Sequence, residues 1–191
     1  MGLHNSERRF GTAAMTLHWL IAVCVIGLLA VGKIMTGESL DLATKFQLYQ
    51  LHKSFGVLVF MLMVLRLCWR WTQTIPAYPA TMQPWEKAGA HVSHWGFYLL
   101  LIVMPLTGWA LVSAATFKVP TLLFGTIPLP HLPFLENAAD PKAAEDWTKW
   151  LHETLGWAII ALLLAHVGAA LKHHFINRDD VLKRMLPGKS Q

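Results

Sequence analysis

Of the 191 residues, 54% are hydrophobic and only 14% charged, whereas roughly a quarter of a soluble domain is charged, so an ordinary water-soluble globule is excluded. The net charge of +5 has the sign of a nucleic-acid binder, but no basic patch alternates with aromatics outside the apolar runs, so it reads as membrane topology and lipid contact. The two cysteines, Cys24 and Cys68, lie within apolar runs without the spacing of a zinc or iron–sulfur site and read as packing residues.

In chain order, four apolar runs approach the ~20 residues a helix needs to cross the hydrocarbon core. They cover 13–35, 48–70, 89–115 and 148–172. The first follows Arg8 and Arg9, is too long for the h-region of a signal peptide and lacks a small-x-small exit, so no cleavable signal is expected. The third contains Pro105 and Gly108, where a kink is expected and is tolerated in a membrane helix. Trp19, Trp69, Trp71, Trp95, Trp109, Trp150 and Trp157 lie at or near run ends, as interfacial aromatics do. Residues 116–147 are proline-rich (VPTLLFGTIPLPHLPF) and then acidic, and read as an ordered outer cap. The expected fold is all-α, an integral membrane four-helix bundle in which 1–191 form a single transmembrane domain.

Basic residues set the orientation. Arg8, Arg9, Arg66, Arg70, Lys87, Lys172, Arg178, Lys183, Arg184 and Lys189 fall on the side of the termini and the second loop. Lys33, Lys45, Lys53, Lys118, Lys142 and Lys149 fall on the other. The excess on the first side puts both termini in the cytoplasm.

The last run, WLHETLGWAIIALLLAHVGAALKHHF, carries four histidines where ionisable groups are costly and usually functional. His152 and His166 are fourteen apart, almost four helical turns, so they share one face ~21 Å apart along the axis. That spacing excludes a single zinc site for the pair and suits two metal centres stacked across a bilayer. Each centre needs a second ligand from another span. On the outer side the only other histidine besides His52 and His152 is His131 in the loop, so His52 is nearly forced to join His152. On the cytoplasmic side His18, His91, His94, His166, His173 and His174 are all candidates. A flat macrocycle lying along a helix needs a small residue one turn from its ligand. Ala22, Gly56, Gly156 and Ala170 supply it after His18, His52, His152 and His166. The residues after His91, His94, His131, His173 and His174 are Trp95, Tyr98, Leu135, Asn177 and Arg178. Two bis-histidine haem b groups are therefore expected, His18 with His166 inside and His52 with His152 outside. The absence of CxxCH excludes covalent c-type attachment.

Haem propionates need cations or donors. Arg66, on the stripe of His52 but at the inner depth, is one candidate, beside its reading as a side chain snorkelling to headgroups. Lys53 and Lys149 flank the outer centre. His173 and His174 lie at the inner end of the last span, where an imidazole can hydrogen-bond a quinone carbonyl and carry its proton; the alternative is that they merely solvate the helix end. His91 and His94, three apart at the same level, are further candidates for quinone or propionate contact, beside ordinary packing.

The stretches MTLHWLI, QLHKSFGVLVFMLMVLRL, AHVSHWGFYLLLIVMPLTGW, WLHETLGW and LAHVGAALKHHF together resemble the bacterial cytochrome b561 family, in order and over almost the whole chain. The resemblance implies a four-helix inner-membrane bundle with two b haems ligated by His18, His52, His152 and His166, and a ubiquinone site near His173. It further implies the activity of the members that oxidise superoxide at the outer face and reduce ubiquinone. The outer loops are not positive overall, so steering of an anion there would be local, from Lys53 and Lys149.

Two rivals stand beside this expectation. One is a membrane anchor and electron conduit for a separate dehydrogenase or reductase, since no flavin, nucleotide or iron–sulfur motif is present; a protein partner would then be required. The other is a metal-ion transporter using membrane histidines, which would be colourless. The expected partners are lipid, quinone and superoxide or another one-electron donor, with no nucleic acid.

Overall fold

A computed structural model describes residues 2–188; Lys189, counted among the cations above, lies outside the described residues. Four long helices, α1 (Thr12–Met35), α2 (Leu42–Trp71), α3 (Pro84–Ala114) and, after a short α4 (Pro133–Glu136), α5 (Pro141–Lys172), make up most of it. All four are long and apolar enough to cross a membrane. The helices outrun the apolar runs because polar caps, not hydropathy, set their ends. Asp41 accepts from the Thr44 amide at the start of α2, Gln83 and Glu86 form a capping box at α3, and Asp140 accepts from Ala143 N ahead of Pro141. The last of these turns 141–147, read above as the end of the cap, into the first turns of α5. Helix α3 runs uninterrupted through Pro105.

The cap is partly β. Strands β1 (Thr121–Leu123) and β2 (Ile127–Leu129) pair antiparallel, with Thr121 opposite Leu129. The turn between them places Phe124 and Gly125 at positive φ, 50° and 74°. The hairpin is fastened to the outer end of α2. Gln50 donates to Pro120 O (2.8 Å) and accepts from Leu122 N, and one turn on Ser54 accepts from Phe124 N (2.8 Å). Trp109 and Ser113 of α3 hold the following segment by bonds to Pro130 O and Leu132 N. Thr116 donates twice to Glu145 of α5.

The opposite end gathers both termini and the α2–α3 connection. Arg9 donates to the carbonyls of Leu186 and Gly188, Trp19 to Met185 O, Asn5 N to Gln73, and Arg184 to Ala77 O.

Helix α5 packs closely on α3, as α1 does on α2 and α2 on α3. It does not pack extensively on α1 or α2, and only side chains bridge that interval. The centre of the bundle is a layer of Val25, Val59, Leu101 and Ile159, within one apolar cluster; Ile159 is 1% exposed and Val59 2%. Val25, Val59 and Ile159 each stand seven residues, about two helical turns, after His18, His52 and His152. The apolar layer therefore separates two layers of histidine.

Candidate functional site

The imidazoles meet in two pairs. His52 of α2 faces His152 of α5 with ring centroids 6.3 Å apart, and His18 of α1 faces His166 of α5 at the same 6.3 Å. Two metal–nitrogen bonds of ~2 Å each, with about 1 Å more from each nitrogen to its ring centre, span ~6 Å. Both pairs therefore have the separation that one metal between two imidazoles requires. No group of three or more histidine, cysteine or acidic side chains able to hold a metal occurs among the described residues.

The inner pair has a competitor. His94 of α3 lies 5.9 Å from His166, closer than His18 does. Packing separates them: α3 and α5 are in close backbone contact, whereas α1 and α5 stand apart. A planar macrocycle needs helices that are not seated directly on one another, and the second interval is the more open of the two. His94 therefore lies to one side, as does Phe97, 5.3 Å from the His166 ring.

Glycines let the helices approach the outer rings. A Cβ on Gly32 would lie 3.2 Å from His52 Cε1, and one on Gly108 3.1 Å from His152 Cε1. The sequence reading found neither contact and took Gly108 only as part of a kink. The glycines it singled out one turn from the ligands touch neither imidazole, and a Cβ on Gly56 would meet nothing within 4 Å and one on Gly156 only Met104, at 3.5 Å, which leaves space beside both. Ala22 and Ala170 lie on α1 and α5, one turn from His18 and His166. His52 Nδ1 is buried without a hydrogen-bond partner among the described residues.

Arg66 donates to Ala14 O (3.2 Å), one turn from His18, and shares a small cleft with Asn5, Phe10, Trp69, Arg70 and Tyr98. Arg70, a second cation there and not singled out in the sequence, lies 5.6 Å over the Tyr98 ring. At the outer end Lys53 is half-buried and donates to Thr121 of the hairpin, while Lys149 is exposed. His131 stays in the cap beside Glu136.

The three remaining inner candidates, His91, His173 and His174, separate. His91 is exposed and edge-on to Tyr78, and His174 is edge-on to Phe175. His173, 4% exposed, opens a π-helical turn (His173–Asn177), a distortion frequent at functional sites. Its Nδ1 lies 2.6 Å from Asp179 Oδ2, and its Nε2 lies 4.0 Å from Glu86 Oε1. Glu86 in turn accepts from Lys172 and Asn177. His173 is thus enclosed by two carboxylates that sequence reasoning missed: Asp179, brought in where the αL residue Arg178 (φ 54°) turns the chain back, and Glu86, from the first turn of α3.

Four membrane helices holding histidine pairs at two depths define an electron-transfer cytochrome of the b type. The chain belongs to the prokaryotic cytochrome b561 family, which it matches over residues 9–188, and with that family comes haem b binding. It is 36% identical to cytochrome b561 homolog 2 of Escherichia coli K12 over 190 residues, all of this chain and 97% of the relative. It is 29% identical to cytochrome b561 homolog 1 of the same organism, over 94% of this chain and 97% of that one. A protein of Yersinia pestis described as probable superoxide oxidase CybB is 28% identical over 96% of this chain and 98% of its own.

Proposed function

We propose that the protein is a di-haem b oxidoreductase of the bacterial inner membrane, oxidising superoxide at its capped, periplasmic end and reducing ubiquinone at the cytoplasmic end that holds both termini. The observation that carries this is the duplicated imidazole pair, 6.3 Å across at both depths. His52 and His152 would hold the outer haem, His18 and His166 the inner. Haem b held between these imidazoles would supply reversible one-electron chemistry. Two superoxide anions lose one electron each to give two molecules of dioxygen, and one quinone gains two electrons and two protons to give quinol.

The chain's own residues attract, hold and protonate. Lys53 and Lys149 give the outer end a local positive field for an anionic donor. Arg66, joined by Arg70, neutralises carboxylates at the inner centre. His173 meets the quinone, and its place between Asp179 and Glu86 lets it give up a proton and be resupplied. The name of the Yersinia relative supports the donor; the cation excess supports the orientation.

The test is purified protein, superoxide and a soluble ubiquinone analogue. Quinol formation faster than spontaneous dismutation is the expected result. Haem reduction without turnover would mean that the chain is only a conduit for a partner protein, and a colourless preparation would remove the reading altogether.

A second expectation concerns the glycines. Gly108→Ala presses a methyl group on His152, and Gly32→Ala presses one on His52. The His152 ring is held by a hydrogen bond to Thr107, whereas His52 Nδ1 has no side-chain partner among the described residues, so that ring is the less constrained of the two. Haem per chain, measured as the pyridine haemochrome, falls toward half in Gly108→Ala and stays closer to the parent value in Gly32→Ala.

A further inference from the structure

Helix α3 carries no proposed ligand, yet it touches both ligands of α5. Thr107 Oγ1 lies 3.0 Å from His152 Nδ1, and Ser93 Oγ lies 3.4 Å from His166 Nδ1. Ser93 and Thr107 are fourteen residues apart, as His152 and His166 are, and the two helices run antiparallel, so the hydroxyls and imidazoles match in register. We infer that Thr107 and Ser93 are positioning residues that fix the tautomer and ring orientation of the α5 imidazoles, Thr107 firmly and Ser93 loosely.

The hydrogen bonds dictate the tautomer. The Thr107 hydroxyl also lies 2.8 Å from Met104 O, which can only accept, so its single proton goes there. Thr107 Oγ1 must then accept from the imidazole. His152 carries its proton on Nδ1, and the Nε2 lone pair is left for a metal. Thr107 is itself buried, so water does not compete for the bond. Ser93 differs on each count. Its contact is longer, no second bond commits its proton, and it lacks the branching that restricts a threonine hydroxyl.

On the other face of the outer pair, His52 Nδ1 is buried with no side-chain partner among the described residues and faces the Leu28 backbone. The outer centre therefore joins one imidazole tied to a hydroxyl to one that has no such tie, and the inner centre has the looser hydroxyl contact. An imidazole that donates from Nδ1 is a better electron donor through Nε2 and favours the oxidised metal. Thr107 thus lowers the potential of the outer centre, independently of which donor or acceptor the protein uses, though the inference rests on the proposed ligand pairs.

The experiment is a redox titration of the purified holoprotein, followed by its haem absorbance, in Thr107→Val, Thr107→Ser and Ser93→Ala. Valine keeps the shape of threonine and removes the acceptor. In Thr107→Val one of the two couples moves upward by about tenfold in its preference for the reduced form, ~59 mV for one electron, while Thr107→Ser restores the parent value. Ser93→Ala moves the other couple, and by less. Loss of one haem in Thr107→Val with full retention in Thr107→Ser supports the same role. The inference is overturned if Thr107→Val leaves both couples in place, or if Thr107→Ser shifts as far as Thr107→Val, which would make the methyl group and not the hydroxyl the active part. Because no superoxide or quinone enters the measurement, its outcome is separate from that of the turnover assay.

Discussion

Replacing His152 or His52 by alanine halves the haem per chain and leaves one b-type couple. Replacing His18 or His166 also halves it but leaves the other couple. The expectation follows from the two pairs being separate centres, with fourteen residues of α5 and a buried apolar layer between them. A bis-imidazole site that loses one ligand retains a single axial bond, and a non-covalent haem held that way washes out on purification. His94→Ala is the informative control. It lies nearer to His166 than His18 does, at 5.9 Å against 6.3 Å, but across the tightly packed α3–α5 seam, so both haems are retained. Pyridine haemochrome content and reduced-minus-oxidised spectra read all five variants. Retention of two haems in His18→Ala with loss of one in His94→Ala would exchange the inner ligand and refute the packing argument.

His173→Gln abolishes most quinone reduction while keeping both haems. Glutamine fills the same depth and still donates to Asp179, but it cannot shuttle a proton. General acid–base participation contributes typically 10²- to 10⁴-fold, so quinol formation falls by roughly 10²-fold, while the absorbance change on adding superoxide alone persists. Asp179→Asn weakens the hold on His173 Nδ1 (2.6 Å in the parent) without removing the imidazole, and its loss is smaller. Unchanged quinone turnover in His173→Gln would reduce His173 to a structural tie between α5, Glu86 and the C-terminal turn.

Much of this was legible in the sequence, for a physical reason. Crossing a bilayer forces long apolar runs, and four could be bounded by eye. Fourteen-residue spacing on one helix fixes both face and height, so His152 and His166 pointed to two levels, and the structure sets one further imidazole 6.3 Å from each. The inner partner was less legible. His18 and His94 both reach the depth of His166, and only the close seating of α3 on α5 tells them apart. Helix ends were misjudged where a cap, not hydropathy, begins the helix, as at Asp140. The cap hairpin hid behind its prolines, because Pro128 and Pro130 read as loop although β2 needs only three residues and an edge position. The contacts of Gly32, Gly108 and Thr107 with the imidazoles depend on which helix lies opposite. The matching interval between Ser93 and Thr107 was present in the sequence, but serines and threonines are common enough that nothing marked it out.

Val25, Val59, Leu101 and Ile159 have a consequence for energy conservation. None of the four can pass a hydrogen ion along, and their close packing leaves little room for a thread of water, so the bundle has a septum that obstructs proton leak. Redox equivalents tunnel through hydrocarbon of such thickness, whereas hydrogen ions do not. Charge taken at one membrane surface and protons drawn from the opposite compartment would then remain separated, and each turnover would add to the voltage across the bilayer instead of dissipating it.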